Sequence, residues 1–135
     1  MKFFIVDLLA CPVCKSRDLL LYPIEVMDED SGPDPEKVKC KNYCHYKNMP
    51  ASQVPLEVCR ECVRKRIVTG VIVCKKCGRW YPIEDTIAYM LDDKYRDDKY
   101  YAKWFEKHGA KIPDSIKGLM RIPPVNRVEG VEGGG

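Results

Sequence analysis

The sequence predicts a small α+β protein with an antiparallel β domain, a cysteine-rich insert and a C-terminal helix. Three observations support this fold class. The eight cysteines stand in four close pairs, short β-type segments lie beside the first and last pairs, and a helical pattern follows them. A chain of 135 residues usually forms one domain, or one domain with an insertion.

The cysteine pairs are the strongest signal in the chain. Three have the C-x2-C spacing and one has C-x3-C: Cys11/Cys14, Cys40/Cys44, Cys59/Cys62 and Cys74/Cys77. Such a turn directs two sulfurs into one pocket, which is half of a tetrahedral zinc site. Four halves make two sites, so the sequence predicts two zinc ions per chain.

Aliphatic and β-branched runs predict the strands. Residues 19–26 and 67–73 are the two longest such runs, and residues 80–83 extend the second into a hairpin with a cysteine knuckle at its tip. Residues 92–108 then follow with a helical spacing of aromatic side chains.

The order in which the cysteine pairs combine decides the architecture. Sequential, interleaved and nested pairings are the three options. The strands favour nesting, because antiparallel pairing of residues 19–26 with 67–73 brings the first and last knuckles to one end. The chain then divides into a zinc-ribbon-like domain (residues 1–26 and 67–91), an inserted subdomain (27–66), a helix (92–109) and an irregular tail (110–135) that we expect to be disordered at its end.

The two sites are not equally well specified. The outer site, for which zinc is predicted, consists of Cys11, Cys14, Cys74 and Cys77. The inner site, where zinc is favoured over disulfides or free buried thiols, consists of Cys40, Cys44, Cys59 and Cys62. His45 is interpreted as a surface histidine, with a place among the inner ligands as the alternative.

No catalytic constellation accompanies these cysteines in the sequence. Zinc closed by four thiolates has no open position for water. The sequence has no glycine-rich loop after a strand for phosphate or S-adenosylmethionine, and no nucleophile has an evident base. We therefore predict a protein that is not an enzyme, with zinc in an architectural role.

Charge is distributed unevenly, although the net charge is only +3. Residues 25–36 carry six acids and no base, whereas residues 59–79 carry seven bases and one acid. Solvated bases that offset the thiolate charge are one interpretation. The alternative is a nucleic-acid-binding zinc ribbon, with Trp80 and Tyr81 stacking on bases. Its RNA-facing candidates are Arg64, Lys65, Arg66, Lys75, Lys76 and Arg79.

A rubredoxin-like redox protein, whose iron site would use the same four-thiolate geometry, is a third class of function.

The cellular compartment bears on the metal prediction. The first nine residues lack the apolar stretch of a signal peptide, and no segment is apolar enough for a transmembrane span. We therefore expect a cytoplasmic protein with no membrane partner, where reducing conditions favour metal over disulfides.

Three motifs together resemble one known family. They are DLLACPVCK at residues 7–15, GVIVCKKCG at 70–78 and WYPIEDTIAYML at 80–91. These look like the Trm-one-twelve-like family, the small zinc-binding activator subunits of methyltransferases, and the chain resembles an archaeal member. The family commonly has Asn/Asp-Gly-Ile-Pro where this chain has residues 85–88, DTIA. We expect the local turn to differ, because threonine is poor at positive φ.

The resemblance implies nested cysteine pairing and no activity of the chain's own. Members bind and solubilise S-adenosylmethionine-dependent methyltransferases that modify tRNA, rRNA or release-factor glutamine. S-adenosylmethionine would then be bound by the partner only, and RNA would be met through the heterodimer. The partner would be contacted by strand addition at an exposed sheet edge and by an apolar patch. This segment would contain Trp80, Tyr81, Pro82, Ile83, Ile87, Met90 and Leu91.

Overall fold

The computed structural model describes residues 1–125 and confirms the small α+β class. Its four-stranded antiparallel sheet has the spatial order β1-β4-β5-β6, formed by β1 (Leu19–Asp28), β4 (Lys65–Cys74), β5 (Trp80–Glu84) and β6 (Ile87–Ala88). In the insert, β2 (Tyr43–Cys44) and β3 (Met49–Pro50) pair separately. The helices are α1 (Leu56–Cys62), α2 (Asp98–His108) and α3 (Asp114–Lys117), and an N-terminal 3-10 helix spans Phe3–Leu8.

The pairing of β1 with β4 closes the outer site. Its register runs from Leu19 opposite Cys74 to Asp28 opposite Lys65, with irregularities between Pro23 and Val26. Because β1 begins just after the first cysteine pair and β4 ends at the last, this register brings both pairs to one end of the sheet. The nested arrangement is therefore confirmed for the outer cysteines.

Strand β4 is buried on both faces, which explains the consecutive apolar residues in its C-terminal half. Side chains alternate along a strand, so Ile72 and Val73 face opposite ways. Ile72 belongs to a first core cluster with Phe3, Val6, Leu21, Ile67, Tyr81 and Ile83. Val73 belongs to a second cluster with Val71, Trp80, Tyr101, Trp104, Ile112 and Met120.

The β5–β6 turn is tight in spite of its threonine. Asp85 and Thr86 have φ values of 53° and 69°, the left-handed conformation that a two-residue hairpin turn requires. The Thr86 N–H donates to the Val68 carbonyl at 3.0 Å, and its carbonyl accepts from the Met1 amino group at 2.9 Å. These two contacts hold a conformation that threonine disfavours. The expectation that threonine would change the turn by avoiding positive φ is therefore wrong.

The C-terminal helix is shorter than the expected residues 92–109. A 3-10 turn occupies Asp93–Tyr95, and α2 begins only after Asp97, whose carboxylate accepts the Lys99 and Tyr100 amides at 3.0 and 3.4 Å. Tyr101 and Trp104 of α2 are buried in the second cluster.

The segment expected as an irregular tail is partly regular. It contains a 3-10 turn at Gly109–Lys111 and α3, and it buries Ile112 and Met120 under the sheet. The disordered end predicted for the tail falls on residues 126–135, outside the described residues. Within residues 1–125, none of the helices has the length and apolar character that crossing a bilayer requires.

Candidate metal centre and neighbouring sheet edge

The four outer sulfurs meet at one end of the sheet. The Cys11 and Cys77 sulfurs are 3.7 Å apart, and those of Cys14 and Cys74 are 3.5 Å apart. All four lie within 4.8 Å of one another. Among residues 1–125, no other group of three or more His, Cys, Asp or Glu ligand atoms is gathered this closely.

This geometry fits zinc. Four thiolates at about 2.3 Å from a tetrahedral ion lie about 3.8 Å from each other, close to the separations found here. Cys11 and Cys74 are fully buried, and Cys14 and Cys77 are half-buried. The cluster would therefore surround the ion with four sulfurs and leave no position for water, as expected for a structural site.

The two knuckles that supply these sulfurs have the same backbone design. In each, the residue after the second cysteine donates its N–H to the carbonyl of the first, Lys15 to Cys11 at 2.9 Å and Gly78 to Cys74 at 2.8 Å. Both residues have positive φ, 67° and 82°. Glycine adopts this conformation freely, and it also fits here because a Cβ would lie only 2.5 Å from the Arg121 side chain.

A buried tyrosine contacts the outer cluster. The Tyr81 hydroxyl lies 3.1 Å from the Cys11 sulfur. Burial alone would raise the pKa of the Cys11 thiol, but the Cys14 amide, the Tyr81 hydroxyl and the Val13 amide lower it to about 6. These donors favour the thiolate, which is the form that binds metal.

Arg79 joins the last knuckle to the C-terminal segment. Its guanidinium binds both carboxylate oxygens of Asp93, at 2.8 and 2.7 Å. Hydrogen bonds to Asp93 and then to Cys77 raise the pKa of Arg79 above its ordinary value. A positive charge held beside the sulfurs offsets the negative charge that four thiolates bring to zinc.

The inner cysteines are arranged more loosely. Cys40, Cys44, Cys59 and Cys62 all line one cavity of about 20 Å³, which is also lined by Phe4 and several aliphatic residues. All four are free thiols, so the disulfide alternative does not hold in this structure. Burial raises the pKa of Cys40 to about 11 and that of Cys62 to about 12.

His45 is neither a surface residue nor a member of the cysteine cavity. Its side chain is buried at 7% exposure and lines a different cavity, together with Asp7 and Lys75. The expectation of a surface histidine is therefore wrong. Its neighbour Cys44, the last residue of β2, lines the cysteine cavity instead.

The family model described as Trm112p-like protein matches residues 2–85, which include the outer cysteines, β1, β4 and β5. The chain belongs to the Trm112p-like family. This confirms the resemblance carried by the three motifs. A comparison with curated proteins finds no match.

The Trm112p-like family is a class of non-catalytic methyltransferase activators, which gives this chain its general kind of function. The outer cluster agrees with the zinc-binding character of such a fold. Methyltransferases are accordingly the partners to be expected in general.

The first half of the expected partner segment is buried within this Trm112p-like chain. Trp80, Tyr81 and Ile83 are at most 2% exposed, and Pro82 is equally buried. The reason is that β5 lies inside the sheet, between β4 and β6, with a core cluster on each face. Their side chains therefore fill the chain's own core, contrary to the expectation of a partner-facing patch.

The backbone edge of β5 is also largely covered. Besides its pairing with β6, the Trp80 N–H donates to the Ile122 carbonyl at 3.2 Å, and the Pro82 carbonyl accepts from Tyr89 at 3.0 Å. The sheet edge on this side is β6 itself. Here Ile87 is 54% exposed and Leu91 is 39% exposed, while Met90 packs partly against the first cluster.

Most of the RNA-facing candidates are engaged in ion pairs. Arg66 binds Glu29 at 2.9 Å, Lys75 binds Asp18 at 3.3 Å, Lys65 binds Asp28, and Arg79 binds Asp93. Arg64 and Lys76 are exposed. The antiparallel β1–β4 register explains much of this, because it lays the acidic run beside the basic one.

Three contacts of these sites were not predicted from the sequence. Tyr81 contacts Cys11, and Asp93 pairs with Arg79. The Asp7 carboxylate accepts three backbone N–H groups of the insert, those of residues 41–43. Only Asp7 carried a usable signal, since an acid within an otherwise apolar N-terminal run is unusual. The other two depend on tertiary contacts that spacing does not report.

Proposed function

We propose that this chain is a non-catalytic subunit that activates and stabilises S-adenosylmethionine-dependent methyltransferases acting on tRNA, rRNA or release factor. Membership of the Trm112p-like family is the observation that carries this proposal. The methyltransferase would bind S-adenosylmethionine and perform the chemistry, and RNA would be contacted through the heterodimer. Free thiols at all eight cysteines suit the reducing cytoplasm in which we place the complex.

The partner-binding edge in this proposal is β6 with the residues around it. Strand addition there would use the outward backbone groups of Ala88, since those of Ile87 face Glu84 of β5, and the exposed side chains of Ile87 and Leu91 would cover apolar surface on the enzyme. Full burial of each such side chain would contribute roughly 1.5–3 kcal/mol before the costs of association. The partner's own apolar surface would be shielded in return, which accounts for stabilisation.

Zinc at the outer site would hold this edge in place. The ion would join the knuckle before β1 to the knuckle between β4 and β5, and β5 carries β6. We also propose a second zinc at the inner site, supported by the shared cavity of its four cysteines. Cys40, Cys44, Cys59 and Cys62 would move closer together around the ion.

Co-expression with methyltransferases of the same organism tests the activator role. Wild-type chain is expected to co-purify with at least one enzyme and to raise its activity. Ile87→Asp should abolish the complex, because it places a charge on the proposed apolar edge. Val26→Asp is the matched control, since Val26 is 41% exposed on the opposite edge strand β1. Absence of any complex with the wild-type chain, or equal loss in both variants, contradicts the proposal.

A further inference from the structure

The Asp7 carboxylate holds the loop between the first two inner cysteines. It accepts three consecutive backbone amides of that loop, from Lys41 at 3.0 Å, Asn42 at 3.2 Å and Tyr43 at 2.9 Å. Asp7 is only 6% exposed and belongs to the N-terminal 3-10 helix, outside the insert. All three donors lie between Cys40 and Cys44, so this single side chain fixes the course of the C-x3-C turn.

Lys2 holds the other half of the inner site. Its ammonium group donates to the Val63 carbonyl at 2.8 Å and also pairs with Glu29. Val63 is the C-terminal cap of α1, the helix that carries Cys59 and Cys62. A cation at a helix C-terminus satisfies a carbonyl that has no partner within the helix.

The two contacts are complementary in charge and come from one short segment, in which Lys2 is the N-terminal cap of the 3-10 helix and Asp7 lies within it. The carboxylate binds N–H groups of one cysteine pair, and the ammonium group binds the carbonyl just after the other pair. Phe4, between them in sequence, lines the cysteine cavity. The N-terminal 3-10 helix therefore touches both halves of the inner site and the cavity itself.

We infer that Asp7 and Lys2 are positioning residues that preorganise the inner cysteines for a metal ion. The inference rests on the second zinc in the proposed function. Neither residue would bind the ion; each would fix the backbone that aims two sulfurs. Because the same 3-10 helix leads directly to Cys11, the outer site and the inner site would be built on one shared element.

The test is a zinc titration of the full chain in competition with a chromophoric chelator, with total metal measured by elemental analysis. Wild type should bind about two zinc ions. Asp7→Asn should weaken the inner ion by about 10- to 100-fold, the usual effect of removing a group that orients metal ligands, and should leave the outer ion unchanged. Asp97→Asn is the matched control, since that carboxylate also accepts two consecutive amides but caps α2.

Cobalt substitution separates positioning from a general loss of stability. Asp7→Asn should lower the thiolate-to-cobalt charge-transfer band of the inner site, as we also expect for Cys44→Ser, and retain the band of the outer site. Lys2→Met tests the same inference from the other half of the site. If Asp7→Asn does not fold, the result for Lys2→Met decides the inference. Its control is Lys65→Met, which removes an ion pair with Asp28 on the sheet.

Two results would overturn the inference. Inner-site affinity equal to wild type in folded Asp7→Asn and Lys2→Met shows that neither residue positions the ligands. A wild-type chain that binds one zinc removes the inner metal site and this inference with it. Neither result touches the activator role, which is decided separately by the complex with a methyltransferase.

Discussion

The Tyr81 hydroxyl lies 3.1 Å from the Cys11 sulfur and links strand β5 to the outer metal site. Tyr81 is 2% exposed, so this contact is shielded from water. Strand β5 therefore does more than carry the edge strand β6. It also supplies a hydrogen bond to one of the four sulfurs that close the ribbon.

Tyr81→Phe removes this hydroxyl and keeps the ring in the core. A hydrogen bond to a charged group contributes about 1.5–3 kcal/mol, so the zinc affinity of the outer site should fall by about 10- to 100-fold. Chelator competition measures the change. Tyr100→Phe is the control, because it removes a hydroxyl that donates to Glu84 at 2.6 Å and not to a cysteine sulfur. An equal fall in both variants would mean that Tyr81 has no specific role at the metal.

Single cysteine replacements should separate the two sites. Cys74→Ser is expected to lose the outer ion and the cooperative unfolding of the ribbon, because Cys74 is fully buried where β4 meets β1. Cys44→Ser should reduce the metal content from about two ions to about one and leave the sheet folded. Circular dichroism and metal analysis provide the readouts. A Cys74→Ser chain that remains folded with its full metal content contradicts the outer closure.

Much of the fold could be predicted from the cysteines and strands together. The β-type runs beside the first and last pairs required an antiparallel register, and Leu19 opposite Cys74 is its direct outcome. The neutralisation of the two charge runs was implied by the same register. Asp28 is the last residue of β1 and Lys65 is the first residue of β4, so the antiparallel register places them opposite each other.

The burial of β5 could not be predicted in the same way. An apolar strand with an aromatic start is compatible with a core position or with an exposed edge, and periodicity does not distinguish them. What decides is the packing of Tyr101, Trp104 and Met120 against Trp80, and these residues lie far along the chain. The left-handed Thr86 is similar, since the Val68 and Met1 contacts that hold it are tertiary.

Asp7 should make the stability of the chain depend on acidic pH. Burial opposes a low pKa, but the amides of Tyr43, Lys41 and Asn42, with His45, hold the pKa of the Asp7 carboxyl below its ordinary 3.8. The folded state then binds fewer protons than the unfolded state near that pH, so this stabilisation is present above the unfolded pKa and lost as pH falls through the folded one.

Urea unfolding of wild type and Asp7→Asn at a series of pH values measures this effect. The difference in unfolding free energy should be constant above about pH 5 and shrink below about pH 4. The difference between wild type and Asp97→Asn, the exposed carboxylate, serves as the reference. A difference for Asp7 that grows on acidification would contradict the assignment.

The isolated chain should bind tRNA only weakly. Four of the six basic candidates are held in ion pairs with Asp18, Asp28, Glu29 and Asp93, which leaves little free positive charge for phosphate. We expect a dissociation constant of about 10⁻⁶ M or weaker at physiological salt, the range of non-specific binding. Asp28→Asn with Glu29→Gln should strengthen binding by releasing Lys65 and Arg66. Submicromolar, salt-sensitive binding by wild type would instead favour the nucleic-acid-binding ribbon.

The C-terminal segment should be required for folding, although the family match ends at residue 85. Trp104 is 2% exposed, and its ring centroid lies 5.7 Å from that of Trp80, on the face of the sheet opposite the N-terminal 3-10 helix. Trp104→Ala should lower the free energy of unfolding by about 3–5 kcal/mol, since it removes a large side chain and leaves a cavity. Chemical denaturation of the zinc-loaded chain measures this loss.

Tyr95→Ala provides the control for this substitution. Tyr95 is an aromatic residue of the same segment but is 65% exposed, so its replacement should change the unfolding free energy by no more than about 0.5 kcal/mol. Unfolding midpoints that are equal for the two variants would mean that the segment after β6 does not stabilise the sheet. A selective effect of Trp104→Ala would instead show that the second core cluster, to which residues 101–120 contribute, stabilises the sheet that carries the metal site and the β6 edge.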